Sequence, residues 1–256
     1  MFTKAIVRQP STNFADGLTS VHLGPPVFEK AVKQHQAYCE SLKSCGLDVI
    51  RLEPDERYPD STFVEDAAVL TSRGAVITRP GALSRIGEIE AIEPVLRQHF
   101  VVLHSIVEPG TLDGGDICEA GEHFFIGVSQ RTNEAGAQQL AGLLASFGYS
   151  SSLIDIRGLS NILHLKSGLA YLGGRCLVVI EALRGRKEFS EYDLICVESA
   201  EEYAANCVFI NDRVLVAAGF DETNRALQRL GYQTMPLEMS EFQKMDGGLS
   251  CLSLRF

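Results

Sequence analysis

One pattern recurs along the chain and limits the folds it can adopt: a short apolar strand, a tight turn and a second apolar strand. Gly-Gly and Asn-Asp pairs at two of these turns have the chemistry of β-hairpin loops. Four complete copies cover residues 67–79, 115–128, 168–180 and 206–217. A fifth copy is divided between residues 250–254 and Lys4–Arg8, so pairing the two ends of the chain would close a ring.

Amphipathic helices are predicted between the hairpins, over residues 27–44, 132–147 and 222–230, with glycines close beyond their ends. An extended run follows each helix, which makes the order strand, strand, helix, strand. A unit this small cannot bury its own faces and must pack against its neighbours. The sequence therefore predicts an α/β fold, a five-bladed, pseudo-symmetric propeller in a single catalytic domain over residues 1–256. An open α/β sheet with helices on both faces is the alternative.

Composition narrows the classes of partner. The formal net charge of −10 argues against a nucleic-acid-binding or anionic-membrane surface and is compatible with a cationic substrate. No apolar run is long enough to span a bilayer, and the first ten residues lack the apolar core of a signal peptide. The seven cysteines form no CxxC pair. We therefore expect free thiols, no structural metal and a cytoplasmic location.

Polar residues stand at the starts of the repeated hairpins, where strand ends in a ring converge. They are Asp66, Asp113, His164 and Cys251. Taken singly, each has an ordinary explanation as a turn residue or a core residue. Together, they supply a thiol nucleophile, an imidazole for proton transfer and a carboxylate to orient the imidazole. The sequence thus predicts a cysteine-dependent hydrolase.

Further charged residues indicate the substrate. Asp60, Glu65 and Asp66 are more carboxylates than a thiol hydrolase needs, and they suit a planar cationic group on which Phe63 could stack. Arg85 and Arg131 follow the first two hairpins and could hold a carboxylate at the other end of the substrate. We therefore expect a small molecule with a guanidinium group and a carboxylate.

Six segments spread over almost the whole chain resemble the dimethylarginine dimethylaminohydrolase family of the guanidino-modifying, or pentein, superfamily. They are FVED at 63–66, ITRPGA at 77–82, TLDGGD at 111–116, RTN at 131–133, HLK at 164–166 and DGGLSCLS at 246–253. The resemblance implies a five-bladed α/β propeller. It also implies hydrolysis of N-omega-methylated arginine to citrulline and a methylamine through a covalent thiouronium intermediate, with no metal or organic cofactor.

The resemblance also assigns roles to residues. It places the nucleophile at Cys251, the acid/base at His164 and the carboxylate that orients the histidine at Asp113. The substrate-binding residues that it implies are Leu18, Asp60, Phe63, Glu65, Asp66, Arg85, Arg131 and Met245, with Leu18 and Met245 contributing backbone contacts. A small-molecule substrate is the expected partner, and a homodimer is compatible with the resemblance.

Two rival functions use a similar ring. Deimination of arginine or agmatine is a sister reaction, but free-arginine deiminases are longer and typically carry Arg where this chain has Glu65. A ribosome anti-association factor is a binding module with no need for Cys251, His164 and Asp113.

The polar segment 11–25 is expected to act as a lid with hinges at Gly17 and Gly24, the alternative being an ordinary connector.

Overall fold

The computed structural model describes all 256 residues and contains five three-stranded sheets. The first sheet contains β1 (Lys4–Arg8), β2 (Asp48–Leu52) and β15 (Leu254–Arg255), and the second contains β3 (Ala68–Thr71), β4 (Gly74–Ile77) and β5 (Leu103–Ser105). The third contains β6 (Ile117–Ala120), β7 (His123–Val128) and β8 (Ser150–Asp155), and the fourth contains β9 (Leu169–Tyr171), β10 (Cys176–Val179) and β11 (Asp193–Cys196). The fifth contains β12 (Val208–Ile210), β13 (Arg213–Ala217) and β14 (Gln233–Leu237).

Every sheet has the same topology. Its middle strand runs antiparallel to one neighbour and parallel to the other, as for β4 between β3 and β5. The antiparallel strands β15, β3, β6, β9 and β12 lie nearest the axis, since contacts between neighbouring blades run through them. Ala5 pairs with Arg255, so the two ends of the chain share one blade. The predicted five-bladed α/β propeller and its ring closure are confirmed.

In sequence, the helices lie between strands. In space, they cover the outer sides of the blades. They are α1 (Phe28–Ser44), α2 (Ile89–Leu96), α3 (Glu134–Ser146), α4 (Asp221–Arg229) and α5 (Ser240–Gln243). The three predicted helices are present within two residues at each end, whereas α2 and α5 were not predicted. The fourth blade has only two 3-10 turns in place of a helix, Glu181–Leu183 and Lys187–Phe189. None of the helices combines the length and hydropathy required to cross a membrane.

Local sequence explains where the longest helices begin and end. Asn133 caps α3, because its side chain accepts a hydrogen bond from the backbone N–H of Gly136. Gly46 follows α1 with a φ of 89°, a left-handed conformation that glycine adopts without strain. The buried face of α1 includes Ala31, Tyr38 and Leu42, which pack into the core beside the first blade.

A ring of short 3-10 turns positions the functional residues, because each turn directly precedes an inner strand. The turns are Val64–Ala67, Gly114–Asp116, Leu165–Ser167, Ser199–Ala205 and Ser250–Leu252. Neighbouring turns touch, and the side-chain amide of Asn206 donates to Ser250 Oγ at 3.1 Å to link the last two. The sequence placed Cys251 inside a strand over residues 250–254, and this is wrong: the strand begins at Leu254. Cys251 lies on a turn, because the chain must bend there to enter the ring.

Candidate active site

Cys251 and His164 line the same narrow pocket, whose volume is about 20 Å³. The half-buried Cys251 Sγ accepts a hydrogen bond from the backbone N–H of Gly248 at 3.4 Å. Burial raises the pKa of the Cys251 thiol to about 12, and the carboxylates of Glu65 and Asp66 act in the same direction. The resting thiol is therefore protonated at neutral pH.

His164 is surrounded by carboxylates. Its Nε2 lies 3.0 Å from Asp113 Oδ2. Burial favours the neutral ring, but Asp66, Asp116 and the hydrogen bond to Asp113 outweigh it and raise the pKa of His164 to about 9. His164 is therefore an imidazolium at neutral pH and can act as a proton donor.

Asp113 is held in one orientation from two sides. Its Oδ1 accepts a hydrogen bond from the backbone N–H of Gly81 at 2.8 Å, and its own N–H donates to Thr132 Oγ1 at 3.1 Å. Asp113 is fully buried, and Arg131 Nη1 approaches its Oδ2 to 3.7 Å. These contacts leave Oδ2 directed at the imidazole, which is the geometry needed to orient His164.

Asp66 belongs to a buried ion-pair chain with Arg85 and Glu88. Asp66 Oδ2 accepts from Arg85 Nη1 at 2.6 Å, and Oδ1 accepts from the N–H of Gly115 at 2.9 Å. Burial opposes ionisation of Asp66, but His164 and Arg85 outweigh it and lower its pKa to about 2. Glu88 accepts from Arg85 Nε and Nη2 at 2.9 and 2.8 Å. Glu88 was missed by sequence reasoning, although its position three residues after Arg85 was a signal.

A cation site can be recognised in the same cluster by geometry alone. Ligand atoms of Asp66, Asp113 and His164 all lie within 4.8 Å of one another. A metal ion there would have to replace the His164–Asp113 hydrogen bond and compete with Arg85 for Asp66. The hydrogen bonds that occupy these atoms favour an arrangement for proton transfer.

The remaining predicted residues surround the entrance to the pocket. Asp60 accepts from the backbone N–H of Leu18 through both carboxylate oxygens, at 3.1 Å each. Phe63 packs edge-on against Phe14, with ring centroids 5.9 Å apart, and Met245 is buried beside them. Arg131 Nη1 is buried and has no hydrogen-bond partner. Its ion pair with Asp113, at 3.7 Å, is too long for a hydrogen bond, so Nη1 can still donate to an anionic group of a ligand.

The segment that follows Gly17 lies across the pocket and is fastened to the far side. Thr19 Oγ1 donates to the carbonyl oxygen of Lys244 at 2.9 Å. Ser20 donates to Asp246 twice, from N at 2.5 Å and from Oγ at 3.1 Å. The pocket beneath these contacts has room for little more than one water molecule. That residues 11–25 act as a lid stays a prediction. Asp246 is the first residue of the DGGLSCLS segment, but its contact with Ser20 was not predicted.

The structure separates Glu65 from the other predicted residues. Nine of them line the pocket, and Asp113 lies directly behind His164. Glu65 instead lines a larger central cavity, where it pairs with Lys166 Nζ at 2.5 Å and accepts from Ser250 Oγ at 2.7 Å. It faces away from Asp66 because the two neighbours lie on opposite sides of the turn Val64–Ala67.

Comparison with known proteins identifies the family. The chain is 46% identical, over the full length of both, to an N(G),N(G)-dimethylarginine dimethylaminohydrolase of Pseudomonas aeruginosa. The chain belongs to the dimethylarginine dimethylaminohydrolase family. A second member, from Streptomyces coelicolor, is 35% identical over 98% of this chain and 96% of its own length. No protein-family model matches the chain.

Solved structures of the family agree with this assignment. A cysteine-to-serine mutant of the Pseudomonas aeruginosa enzyme, complexed with citrulline, superimposes with a TM-score of 0.97 at 45% identity and full coverage of both chains. A dimethylarginine dimethylaminohydrolase with histidine changed to glycine, as an adduct with S-methyl-L-thiocitrulline, has the same TM-score. The N-terminal domain of a cyanobacterial arginine dihydrolase matches with a TM-score of 0.90 at 19% identity, a likeness of fold.

Proposed function

We propose that this protein hydrolyses asymmetric dimethylarginine and monomethylarginine to citrulline and a methylamine, within a single catalytic domain over residues 1–256. The observation that carries the proposal is one pocket shared by the Cys251 thiol and the His164–Asp113 pair, in a chain 46% identical to a named dimethylarginine dimethylaminohydrolase. Free thiols and an acidic surface fit a cytoplasmic enzyme.

The substrate's own charge activates the nucleophile. In the resting pocket the thiol is protonated and His164 is an imidazolium. A guanidinium bound beside Cys251 favours the thiolate, because an opposite charge lowers the pKa of a thiol, and the thiol proton passes to solvent water. The protein therefore forms a reactive thiolate only when a cationic substrate occupies the pocket.

The reaction has two covalent steps. Cys251 Sγ attacks the guanidinium carbon and forms a C–S bond. The C–N bond to the methylated nitrogen then breaks, its electron pair stays on nitrogen, and His164 supplies the proton. A thiouronium group remains on Cys251. His164, now neutral, removes a proton from water, which attacks the same carbon and releases citrulline and the thiol.

Binding residues divide between the two ends of the substrate. Asp66, kept ionised by Arg85, receives the unmethylated side of the guanidinium. Arg131, whose Nη1 makes no hydrogen bond within the protein, receives the α-carboxylate, and Arg85 lines the same pocket. Asp60 lines the same pocket and supports guanidinium recognition beside Asp66, and the backbone of Leu18 and Met245 supplies further contacts to the substrate.

This arrangement predicts selectivity for methylated arginine. A dimethylated nitrogen donates no hydrogen bond, so it can face apolar surface such as Phe63, whereas plain arginine would bury an unpaired NH₂ at a cost of roughly 1–3 kcal/mol. We expect kcat/KM for the asymmetric dimethyl and monomethyl compounds to exceed that for arginine by about tenfold to a hundredfold. Symmetric dimethylarginine should be a poor substrate, because its second methyl group meets Asp66.

Citrulline formation from these four compounds, measured side by side, tests the proposal. Cys251→Ser should abolish citrulline formation, because a hydroxyl at neutral pH is a far weaker nucleophile than a thiolate. Cys196→Ser is the matched control, since Cys196 lies half-buried in β11 and outside the pocket, and it should leave the activity unchanged. Substantial citrulline from Cys251→Ser, or equal turnover of arginine, would contradict the assignment.

A further inference from the structure

The five inner strands enclose a channel that the reaction described above does not use. Its volume is about 760 Å³, and it lies on the other side of the turn ring from the catalytic pocket. Met1 and Val101 line it and are fully exposed, so the channel opens to solvent at its far end. A cavity of this size lies in the range of ligand-binding sites.

The turn ring forms the partition between the channel and the pocket. Three catalytic or binding residues each have a close sequence neighbour that lines the channel: Asp66 has Glu65, Cys251 has Ser250, and His164 has Lys166. The ion pair between Lys166 Nζ and Glu65 Oε1, at 2.5 Å, and the Ser250 hydroxyl bonded to Glu65 link three turns of this partition. Lysine has a long, flexible side chain, so this ion pair can open without a change in the fold.

The channel has a feature that would attract a cation. Glu119, on β6, is exposed to the channel and has neither an ion pair nor a hydrogen bond. The positive charges deeper in the channel, Lys166 and Arg255, are already paired with Glu65. The surrounding channel wall partly desolvates the Glu119 carboxyl and raises its pKa to about 7, while Lys166 acts in the opposite direction. A cation beside the carboxyl would likewise favour its ionised form.

Aromatic rings at the outer part of the channel complete a surface suited to an alkylammonium ion. The ring of Phe256 lies 5.2 Å, centroid to centroid, from both Phe100 and His99. Phe2 and Tyr171 also line this cavity. Methylated ammonium ions are bound by aromatic faces through cation–π attraction.

The proposed reaction creates a need for a second exit. In the proposed reaction the rest of the substrate stays bonded to Cys251 when the amine forms, and it still occupies the pocket that Leu18 and Cys251 both line. Water must nevertheless replace the amine before it can attack the thiouronium carbon. A departing amine that cannot leave would attack that carbon and regenerate the substrate.

We propose that the amine product leaves through the central channel, past the Lys166–Glu65 pair, and that Glu119 binds it there as an alkylammonium ion. This inference rests on the proposed function. The amine leaves carbon with the nitrogen electron pair and the proton from His164, and it gains its second proton from water in the channel. Lys166 turns from Glu65 towards Glu119 to open the partition, and the emerging cation then takes its place at Glu119.

Two substrates that give the same adduct but different leaving groups test the route. Asymmetric dimethylarginine releases a cationic amine, whereas S-methyl-L-thiocitrulline releases neutral methanethiol. We expect Glu119→Lys to lower kcat/KM for dimethylarginine by at least about tenfold, because a positive charge in the channel repels the amine. The same variant should change kcat/KM for S-methyl-L-thiocitrulline by less than about twofold. Glu119→Gln should show the same preference more weakly. Glu29→Lys makes the same change of charge on an exposed, unpaired residue of α1 and should affect neither substrate.

Turnover of S-methyl-L-thiocitrulline also reports that each variant is folded. A loss that is equal for both substrates would mean that Glu119 has a structural role, and no loss for either would mean that the amine leaves by the entrance; either result overturns the inference. If the unmodified protein forms no citrulline from dimethylarginine, the proposed function itself fails, which is a separate outcome.

Discussion

Replacing Asp113 with asparagine should change both the catalytic rate and the pH dependence of stability. The substitution keeps the size of the side chain but removes the charge that lies 3.0 Å from His164 Nε2. The imidazolium then loses its hydrogen-bonded carboxylate, so the pKa of His164 falls from about 9 towards the ordinary value of 6.5. We expect kcat at pH 7 to fall by at least about 100-fold, since the proton donor is misoriented and less often protonated.

The effect on stability follows from the same pKa. Because the pKa of His164 is higher in the folded than in the unfolded protein, its contribution is complete below pH 6.5 and is lost as the pH rises through about 9. Each pKa unit corresponds to about 1.36 kcal/mol, so the full contribution is roughly 3 kcal/mol. In Asp113→Asn this pH-dependent loss should be smaller than in the parent, because the hydrogen bond and charge of Asp113 no longer raise the pKa of His164, whereas Asp66 and Asp116 still do.

Urea unfolding between pH 6 and about pH 9.5 measures this difference. The chain has no tryptophan, so far-UV circular dichroism is the signal of choice. Titration of the seven thiols in the unfolded state is common to both proteins and cancels when the two pH profiles are subtracted. Asp155→Asn, at an exposed residue of β8 paired with Arg157, is the control and should keep the parent's profile. Parallel profiles for Asp113→Asn and the parent would refute the account of His164.

Three further changes test other parts of the site. His164→Gly should let the covalent adduct accumulate, detectable by mass spectrometry of the quenched protein, because hydrolysis needs the base more than attack does; absence of any adduct would contradict the role of His164. Asp246→Ala should speed amide exchange over residues 17–21, since it removes both bonds to Ser20, whereas a bound substrate analogue should slow exchange there in the parent; unchanged exchange in both cases would argue against a lid. Gly247→Ala should lower the free energy of unfolding by about 1–3 kcal/mol, because a Cβ there would collide with the ring of Phe63. Gly142→Ala, in an open position on α3, should instead stabilise by about 0.4–1 kcal/mol, and similar values for the two glycines would show that the Phe63 contact is not the cause.

The sequence by itself determined the repeated hairpins, the joining of both chain ends in one blade, and the grouping of Cys251, His164 and Asp113. These features follow from local rules: alternation of apolar residues along strands, turn chemistry, and glycines beyond helix ends. The same rules could not place α2, because Pro94 lies inside it and a proline ordinarily argues against a helix interior.

Tertiary structure alone decided which side of the turn ring each residue faces. Glu65 and Asp66 are neighbours with the same charge, yet Asp66 contacts Arg85 near the pocket while Glu65 contacts Lys166 in the channel. Alternation along a strand predicts which face a side chain lies on. A single 3-10 turn such as Val64–Ala67 has no such alternation, so the sequence does not predict the side on which its residues lie. The side that each carboxylate takes is set by its long-range partner, and these partners lie 19 residues away for Asp66 and 101 for Glu65. Ion pairs at such separations leave no local pattern in the sequence.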